Sequence, residues 1–165
     1  QISQLDNDRI FLEEAEFRLD EQIRQVILLL EPNWSKKNID LGIDLDECTY
    51  RGKEELLVQV WVNLLDNAIK FTEPGGQIII RLQKRESLRL RIADTGSGMD
   101  EETRRRVFEQ FYQGDPSRKL EGAGLGMSIV KRILDLHAAD IFIDSEPGKG
   151  TEIEVVLSSK KPSQF

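Results

Sequence analysis

The spacing of apolar residues changes abruptly at residues 74–76, a Pro-Gly-Gly stretch. Before it, apolar side chains recur every three or four positions, which predicts one long helix from about Lys53 to Phe71. The buried stripe of that helix is expected to contain Leu57, Val60, Trp61, Leu64 and Ala68. After it, apolar and polar residues alternate over 78–82 and again over 88–92, which predicts an antiparallel hairpin.

The same reasoning places the other elements. Alternation predicts strands at 15–19, 39–45, 141–144 and 152–157. Strand 39–45 is expected to have one buried and one wet face. Helical spacing predicts a helix after Asp20, whose carboxylate would cap the first turn, and another helix from Gly124. In that last helix the residues expected to face inward are Leu125, Ile129, Ile133 and Leu136.

Together these elements predict an α+β two-layer sandwich. The sheet is expected to be mixed, mostly antiparallel and of about five strands, with about three helices covering one face. Residues 1–14 are polar and mixed, and are expected to be a linker or the end of an upstream helix. Residues 15–160 then form one domain, since 165 residues with 39% hydrophobic content suffice for a single core.

Charge and composition narrow the function classes. The net charge of -7 gives no general attraction for nucleic acid, which is itself polyanionic. The lone cysteine, Cys48, rules out an internal disulfide and fits a reducing compartment. No apolar run approaches the ~20 residues of a membrane helix. The chain begins with Gln1 rather than Met, so we expect a cytoplasmic piece of a longer protein, whether or not that protein is anchored in the cell membrane.

The long helix carries two asparagines one turn apart. At 100° per residue, Asn63, Asn67 and Lys70 lie within about 60° of each other, away from the apolar stripe. An asparagine carbonyl oxygen is a neutral, hard ligand for magnesium, and a lysine supplies a point charge for a phosphate. An ordinary solvated helix face is the alternative interpretation of the same three residues.

Three glycine clusters follow the helix. Asp94-Thr-Gly96-Ser-Gly98 ends a strand, where a carboxylate can accept a hydrogen bond from the exocyclic amine of adenine. Gly122-Ala-Gly124-Leu-Gly126 opens a helix, which is typical of a phosphate cradle. Residues 148–151, Gly-Lys-Gly-Thr, form a hairpin-type turn. Taken singly, the first and third clusters are more typical of structural turns, and the second is also compatible with a hinge for the preceding loop.

In this order the motifs resemble the ATP-binding catalytic domain of bacterial sensor histidine kinases. That domain belongs to a superfamily with gyrase, heat-shock chaperone and mismatch-repair ATPases, and the resemblance implies its Bergerat-type ATP-binding fold. It covers about residues 17–157. The stretches similar to the family's asparagine box, first glycine box, phenylalanine box, second glycine box and third glycine motif are, in turn, 63–72, 94–98, 108–112, 122–126 and 148–151.

The resemblance implies a role for each matching residue. Asn67 is expected to ligate magnesium between the phosphates, with Asn63 beside it as the other member of the catalytic pair. Lys70 is expected to contact phosphate, and Phe71 to pack near adenine. Asp94 is expected to read the adenine amine. ATP and Mg²⁺ are the ligands that these roles imply.

The resemblance also implies an ATP lid at about 99–121 and support of the adenine site by Thr151. The other residues expected to line the nucleotide site are Gly96, Gly98, Tyr112, Arg118, Gly122, Gly124, Leu125, Gly126 and Met127. The family often has a basic residue where this chain has Gln113, so which lid residue contacts phosphate stays open.

The asparagine pair favours transfer over hydrolysis. Hydrolysing relatives resemble this chain but carry a glutamate at the position of Asn63, where it activates water. An amide has no lone pair basic enough for that role at neutral pH. In the family the acceptor histidine lies on a separate helical dimerisation domain, normally upstream, and no histidine precedes His137 here. We therefore expect no self-phosphorylation, and interpret His137 as a packed or capping residue.

The implied partners are an upstream dimerisation and histidine-phosphotransfer domain and, through it, a response regulator. The fragment is expected to be monomeric without direct membrane contact, and the full-length protein to be a homodimer. A serine kinase of the anti-sigma type shares the fold and is one alternative. A non-catalytic module that holds nucleotide permanently is another, although Asn67, Lys70 and Asp94 argue against it.

Overall fold

The computed structural model describes residues 13–110, 112 and 126–158. The strands are β1 (Ala15–Arg18), β2 (Asp40–Leu45), β3 (Thr49–Gly52), β4 (Gln77–Lys84), β5 (Ser87–Asp94), β6 (Asp140–Glu146) and β7 (Gly150–Ser158). The helices are α1 (Leu19–Leu29), α2 (Glu31–Lys36), α3 (Glu54–Phe71), α4 (Glu101–Arg106) and α5 (Gly126–Leu136). Among these described helices, none combines the length and the apolar character needed to cross a membrane.

The main sheet has five strands in the order β2-β4-β5-β7-β6. Strand β2 pairs parallel with β4, and the other neighbours pair antiparallel. Helices α1, α3 and α5 contribute to the core on one face of this sheet. The predicted α+β sandwich, with a mixed sheet and helices on one face, is confirmed.

Alternation along the central strands explains how the sheet is covered. The inward side chains of β4 and β5, at Ile78, Ile80, Leu82, Leu88, Leu90 and Ile92, are at most 2% exposed. Their neighbours Arg81 and Arg89 point to the open face and pair with Asp44 and Glu154. The predicted hairpin is therefore present, with β4 and β5 in antiparallel register from Ile78 opposite Asp94 to Lys84 opposite Leu88.

Helix α3 is the central helix of the layer. Its predicted stripe is buried, and Trp61 at its middle is fully buried. The Trp61 indole Nε1–H donates to Gln22 Oε1 at 2.7 Å, and Gln22 Nε2 donates to the Glu54 carbonyl at 3.0 Å. Because Gln22 belongs to α1, these two bonds fix α1 against the start of α3. The opposite side of α3 is left for the polar residues.

The expected cap by Asp20 is wrong. Helix α1 begins at Leu19 with Arg18 at the capping position, so Asp20 lies inside the first turn. Its carboxylate instead accepts from the Arg18 guanidinium at 2.9 and 2.7 Å and from the Cys48 N–H at 3.2 Å. The hydrogen bonds from Arg18, despite the opposing effect of burial, lower the pKa of Asp20 to about 2. Asp20 thus ties β1 and α1 to the segment before β3.

Two expectations about burial also fail at the margins of the fold. Leu136, expected to face inward, is the last residue of α5 and is 41% exposed. The alternation in strand β2 predicts one buried face, but Ile43 on that face is 44% exposed because β2 is an edge strand. Strand β3, which pairs with β1 in a separate two-stranded sheet, has no counterpart in the sequence prediction.

Candidate nucleotide-binding site

Two of the glycine clusters meet at Asp94. This residue ends β5 and lies opposite Thr151 in the antiparallel pairing with β7. Its Oδ1 accepts hydrogen bonds from the Gly96 N–H at 2.8 Å and from the Thr151 N–H at 3.2 Å. Among the described residues both of these bonds use Oδ1, so Oδ2 is the oxygen that the amine of a ligand can approach.

The half-buried position of Asp94 affects its protonation. Burial raises the pKa of the Asp94 carboxyl, and the N–H groups of Gly96 and Thr151 partly offset this by stabilising the charged form. These two donors also fix the direction of the carboxylate. Asp94 is therefore a rigid hydrogen-bond acceptor held where the surrounding solvent screens it only in part.

The backbone around Asp94 is packed too closely for side chains. A Cβ on Gly96 would overlap the carbonyl of Phe71, and a Cβ on Gly98 would overlap the carbonyl of Glu146. Gly98 also has a φ of 70°, in the left-handed region that favours glycine. The stretch 94–98 is a turn, as its composition predicts, and its backbone lies directly against α3 and the end of β6.

Ser145 links this turn to β7, and sequence reasoning missed it. Its Oγ accepts from the Met99 N–H at 2.8 Å, donates to the Gly150 carbonyl at 3.1 Å and lies 2.8 Å from Thr151 Oγ1. The signal in the sequence is weak: Ser145 only continues the inward positions of a strand that ends there.

The asparagine face of α3 meets the second glycine cluster. Asn63, Asn67 and Lys70 are all half-buried. The Asn63 Nδ2–H donates to the Gln59 carbonyl at 2.7 Å. A Cβ on Gly126, the first residue of α5, would lie only 2.7 Å from Asn63 Oδ1. The glycine therefore allows α5 to start against the first asparagine.

The end of α3 connects the two halves of the site. The Lys70 ammonium pairs with Asp66 at 3.0 Å, one turn earlier on the same face. Phe71, the last residue of the helix, is 36% exposed, and its carbonyl accepts from the Ser97 N–H at 3.2 Å. Elements separated by tens of residues thus bring the asparagine box and all three glycine motifs, as far as these are described, to one side of the domain.

A known protein family matches the part of the chain that contains these motifs. The sequence profile described as "Histidine kinase-, DNA gyrase B-, and HSP90-like ATPase" matches residues 52–161. The chain belongs to this family. The match begins just before α3 and includes the asparagine helix, Asp94, Gly126 and Thr151.

Individual relatives of this ATPase-family domain are named as sensor proteins. The sensor histidine kinase AruS of Pseudomonas aeruginosa is 38% identical over 162 residues, which is 89% of this chain and 16% of AruS. The heme sensor protein HssS of Staphylococcus saprophyticus is 34% identical over 157 residues, 94% of this chain and 34% of HssS. The chain therefore spans between about a sixth and a third of these curated relatives.

Solved structures agree with this assignment. The mycobacterial sensor histidine kinase MprB superposes with a TM-score of 0.78 at 29% identity, covering 87% of this chain and 97% of that one. Full-length ShkA, solved in complex with AMPPNP, superposes with a TM-score of 0.79 at 29% identity, covering 93% of this chain and 32% of ShkA. The match to the catalytic domain of ThkA has a TM-score of 0.77 at 28% identity, over 89% and 96% of the two chains.

Two other predicted site residues of the ATPase-family domain, Tyr112 and Met127, pack against other parts of the fold. Tyr112 is half-buried against α4, where its hydroxyl is 3.4 Å from Thr103 Oγ1 and the Arg106 guanidinium carbon is 4.3 Å from its ring centre. Met127 is 7% exposed and belongs to the hydrophobic core. The predicted residues outside the described part of the chain are Arg118, Gly122, Gly124 and Leu125, together with most of the expected lid after residue 110.

His137 has the contacts of a packed residue. Its Nε2 accepts from the Lys53 N–H at 3.0 Å, and its Nδ1 is 2.8 Å from the Ile133 carbonyl, to which it donates in that tautomer. Burial lowers the pKa of His137, which favours this neutral form. The imidazole thereby joins the end of α5 to the residue that precedes α3.

Proposed function

We propose that this domain binds ATP with Mg²⁺ and donates the γ-phosphoryl group to a histidine on a separate dimerisation domain, as the catalytic module of a two-component sensor kinase. The observation that carries the proposal is the position of Asp94. Its Oδ1 is held by Gly96 and Thr151, and the turn after it is bonded to the end of the asparagine helix. The ShkA complex with AMPPNP and the sensor histidine kinase names of AruS and MprB support it.

The base end of the site fits adenine. Asp94 presents an acceptor, and the exocyclic amine of adenine is a donor, whereas the corresponding group of guanine or hypoxanthine is a carbonyl. Gly96 and Gly98 let the turn after Asp94 pack against the carbonyls of Phe71 and Glu146, which fixes the backbone beside the acceptor. Thr151 holds Asp94 through its N–H and is itself fixed by Ser145, so the acceptor is oriented before a ligand arrives.

The phosphate end of the site fits a hard cation and an anion. Asn67 is half-buried on the same face as Asn63 and Lys70, and its amide oxygen is a ligand type that Mg²⁺ accepts beside water and phosphate oxygens. A bound Mg²⁺ would supply charge neutralisation for phosphoryl transfer. Lys70, whose ammonium pairs with Asp66 on the same helix face, would supply a positive charge for a phosphate.

Asn63 makes transfer the expected outcome rather than hydrolysis. Its Nδ2 is committed to the Gln59 carbonyl, and its Oδ1 faces the start of α5. An amide in this place cannot take a proton from water at neutral pH. The γ-phosphoryl group therefore stays on ATP until a partner domain supplies the nucleophile. Positioning and charge neutralisation are the main requirements of this reaction.

The partner, in this proposal, is an upstream dimerisation domain that carries the histidine and passes the phosphoryl group to a response regulator. Residues 15–160 act as the catalytic unit and residues 1–14 as the connection to that domain, on the cytoplasmic side. This chain alone is expected to be monomeric, and the full-length protein to be a dimer through the partner domain.

The decisive test adds the acceptor. The chain is mixed with a separately prepared histidine-bearing dimerisation domain of a sensor kinase and with ATP labelled at the γ-phosphate. We expect acid-labile, base-stable label on the added domain when both proteins and Mg²⁺ are present, and no label when its histidine is replaced by glutamine. The chain alone should neither become labelled nor release phosphate at an enzyme-like rate.

Other results of this assay would favour the alternatives. Acid-stable label on a serine would indicate a serine kinase of the anti-sigma type. Bound ATP without transfer to any acceptor would indicate a nucleotide-holding interaction module. Acid-labile label on His137 would contradict the structural role that its two ring contacts support.

The metal role of Asn67 makes a separate prediction. Asn67→Ala should weaken ATP binding by about tenfold or more in Mg²⁺ but by less than about threefold in chelator, because the lost oxygen contacts the cation and not the nucleotide. Isothermal calorimetry under both conditions measures this. Asn33→Ala, an exposed asparagine on α2, is the matched control. An equal loss with and without Mg²⁺ would show that Asn67 is not a metal ligand.

A further inference from the structure

The last turn of α3 is held by a lysine from outside every motif. The Lys37 Nζ lies 2.8 Å from the Ile69 carbonyl, 3.1 Å from the Lys70 carbonyl and 2.8 Å from the Thr72 carbonyl. An ammonium has three N–H donors, so these three carbonyls can use all of them. The side chain is half-buried and follows directly after α2, more than thirty residues before its acceptors in the sequence.

The chemistry of a helix end explains why a cation fits there. The final carbonyls of a helix have no partner within the helix, and their aligned dipoles give that end partial negative charge. The Lys37 ammonium satisfies both features at once. The main chain of the same residue is also fixed, since its carbonyl accepts from the Gly75 N–H at 2.8 Å. Both the side-chain ammonium and the backbone of Lys37 are therefore fixed by hydrogen bonds.

The turn that Lys37 holds is the one that joins the two halves of the site. It includes Lys70, proposed to contact phosphate, and Phe71, proposed to pack near adenine. The Phe71 carbonyl accepts from the Ser97 N–H at 3.2 Å, next to Gly96, whose own N–H donates to Asp94. A shift of the helix end therefore moves the backbone that fixes the adenine acceptor.

We propose that Lys37 is a positioning residue for nucleotide binding, which sets the place of the α3 end relative to the turn at 94–98 without touching the nucleotide. This inference rests on the proposed function. Lys37 acts at the base end of the site, so the effect of replacing it on ATP affinity should not depend on Mg²⁺. That separates it from Asn67, whose effect should depend on Mg²⁺.

The first experiment compares two neighbouring lysines. Lys37→Met removes the three donors and keeps most of the side-chain length, whereas Lys36→Met removes the same charge from an exposed residue of α2. We expect Lys37→Met to weaken ATP binding by roughly tenfold, in Mg²⁺ and in chelator alike, at the scale of typical coupling between separate sites. Lys36→Met should bind as wild type does. Lys37→Arg, which keeps a charge and N–H donors, should stay within about threefold of wild type.

A second measurement, made without nucleotide, tests whether Lys37 stabilises the hydrogen bond between the Ser97 N–H and the Phe71 carbonyl. In Lys37→Met, hydrogen exchange at the Ser97 amide should become faster, because its acceptor on Phe71 is no longer held in place. The amides of central strand β4 should keep their wild-type protection. In Lys37→Ala, propylammonium ions restore the missing atoms and should recover ATP affinity. Tetramethylammonium has the charge but no N–H donor, and should not.

These results separate the inference from the function on which it rests. Wild-type protein that fails to bind ATP would overturn the proposed function and this inference together. Wild-type binding with unchanged affinity in Lys37→Met would overturn this inference alone. The same holds if Lys37→Met loses affinity while Ser97 exchange stays at the wild-type rate, or if both ammonium ions rescue Lys37→Ala equally.

Discussion

Asp94→Asn is expected to lower ATP affinity by about 100-fold or more while the domain stays folded. The substitution keeps the shape of the side chain, and an asparagine Oδ1 can still accept from the Gly96 and Thr151 N–H groups. The second atom changes from an acceptor oxygen to an NH₂ donor, which would face the donor amine of adenine. A buried polar group that cannot form its hydrogen bond with the ligand costs much of the binding free energy. Calorimetric titration with ATP measures the loss.

The stability of the same variant should move in the opposite direction. Burial raises the folded-state pKa of Asp94, so keeping the carboxyl charged at neutral pH opposes folding. The neutral amide carries no such cost, and Asp94→Asn should melt at the same temperature as wild type or above it. A raised pKa means that the folded protein binds the proton more tightly than the unfolded chain does. The advantage of the variant should therefore be largest above the folded-state pKa and shrink as the pH falls through it.

Inosine triphosphate supplies the matched ligand control. Its base has a carbonyl where adenine has an amine, so wild-type protein should bind it far more weakly than ATP. The side-chain amide that Asp94→Asn introduces can donate to that carbonyl, and the preference for ATP should collapse in the variant. Unchanged ATP affinity, or an equal loss for both nucleotides, would mean that Asp94 does not read the base.

The elements that the sequence predicted well are those governed by local periodicity. The alternation over 78–82 and 88–92 reappears as β4 and β5 because each inward residue is buried by a helix above the sheet. The spacing from Leu57 to Ala68 reappears as the buried stripe of α3 for the same reason. In both cases the positions of the apolar side chains indicate directly which face of the element is buried.

The errors lie where a residue's partner is distant in sequence. Asp20 has good capping chemistry, but its carboxylate accepts from the Cys48 N–H, 28 residues away, and from Arg18 on the preceding strand. Ile43 alternates as a buried strand residue should, yet its strand lies at the edge of the sheet. Strand β3 is only four residues long and is defined by its pairing with β1, which no local pattern indicates.

The residues of the candidate site also fall into two groups, those that the sequence could predict and those that it could not. Asp94, Asn63 and Asn67 could be selected because their residue types and order match a known set of motifs. Ser145 and Lys37 could not, since serine near a strand end and lysine near a helix end are common. Their importance comes from contacts across 46 residues in one case and at least 32 in the other. Such contacts are a property of the assembled fold.

Gly98→Ala is expected to be strongly disruptive although it adds only one methyl group. Its φ of 70° costs an alanine about 1 kcal/mol, and the added Cβ would overlap the Glu146 carbonyl, so the backbone of one strand or turn must move. We expect a total loss of about 3 kcal/mol in the free energy of unfolding. For a domain of this size that lowers the melting temperature by roughly 6–12 °C. Chemical denaturation and thermal melting measure both quantities.

Gly148→Ala separates the two causes of that loss. Gly148 has a similar φ of 78°, but a Cβ there would meet no atom within 4 Å, so only the conformational cost of about 1 kcal/mol remains. The consequences for binding should differ as well. Displacing Gly98 disturbs the Gly148 N–H bond to the Ser97 carbonyl and, through Ser97, the end of α3, so ATP affinity should fall with stability. Gly148→Ala should keep wild-type affinity, because its side chain would point to solvent and leave that bond in place. Equal losses of stability in the two variants would show that backbone conformation alone, and not the close approach to Glu146, requires glycine at 98.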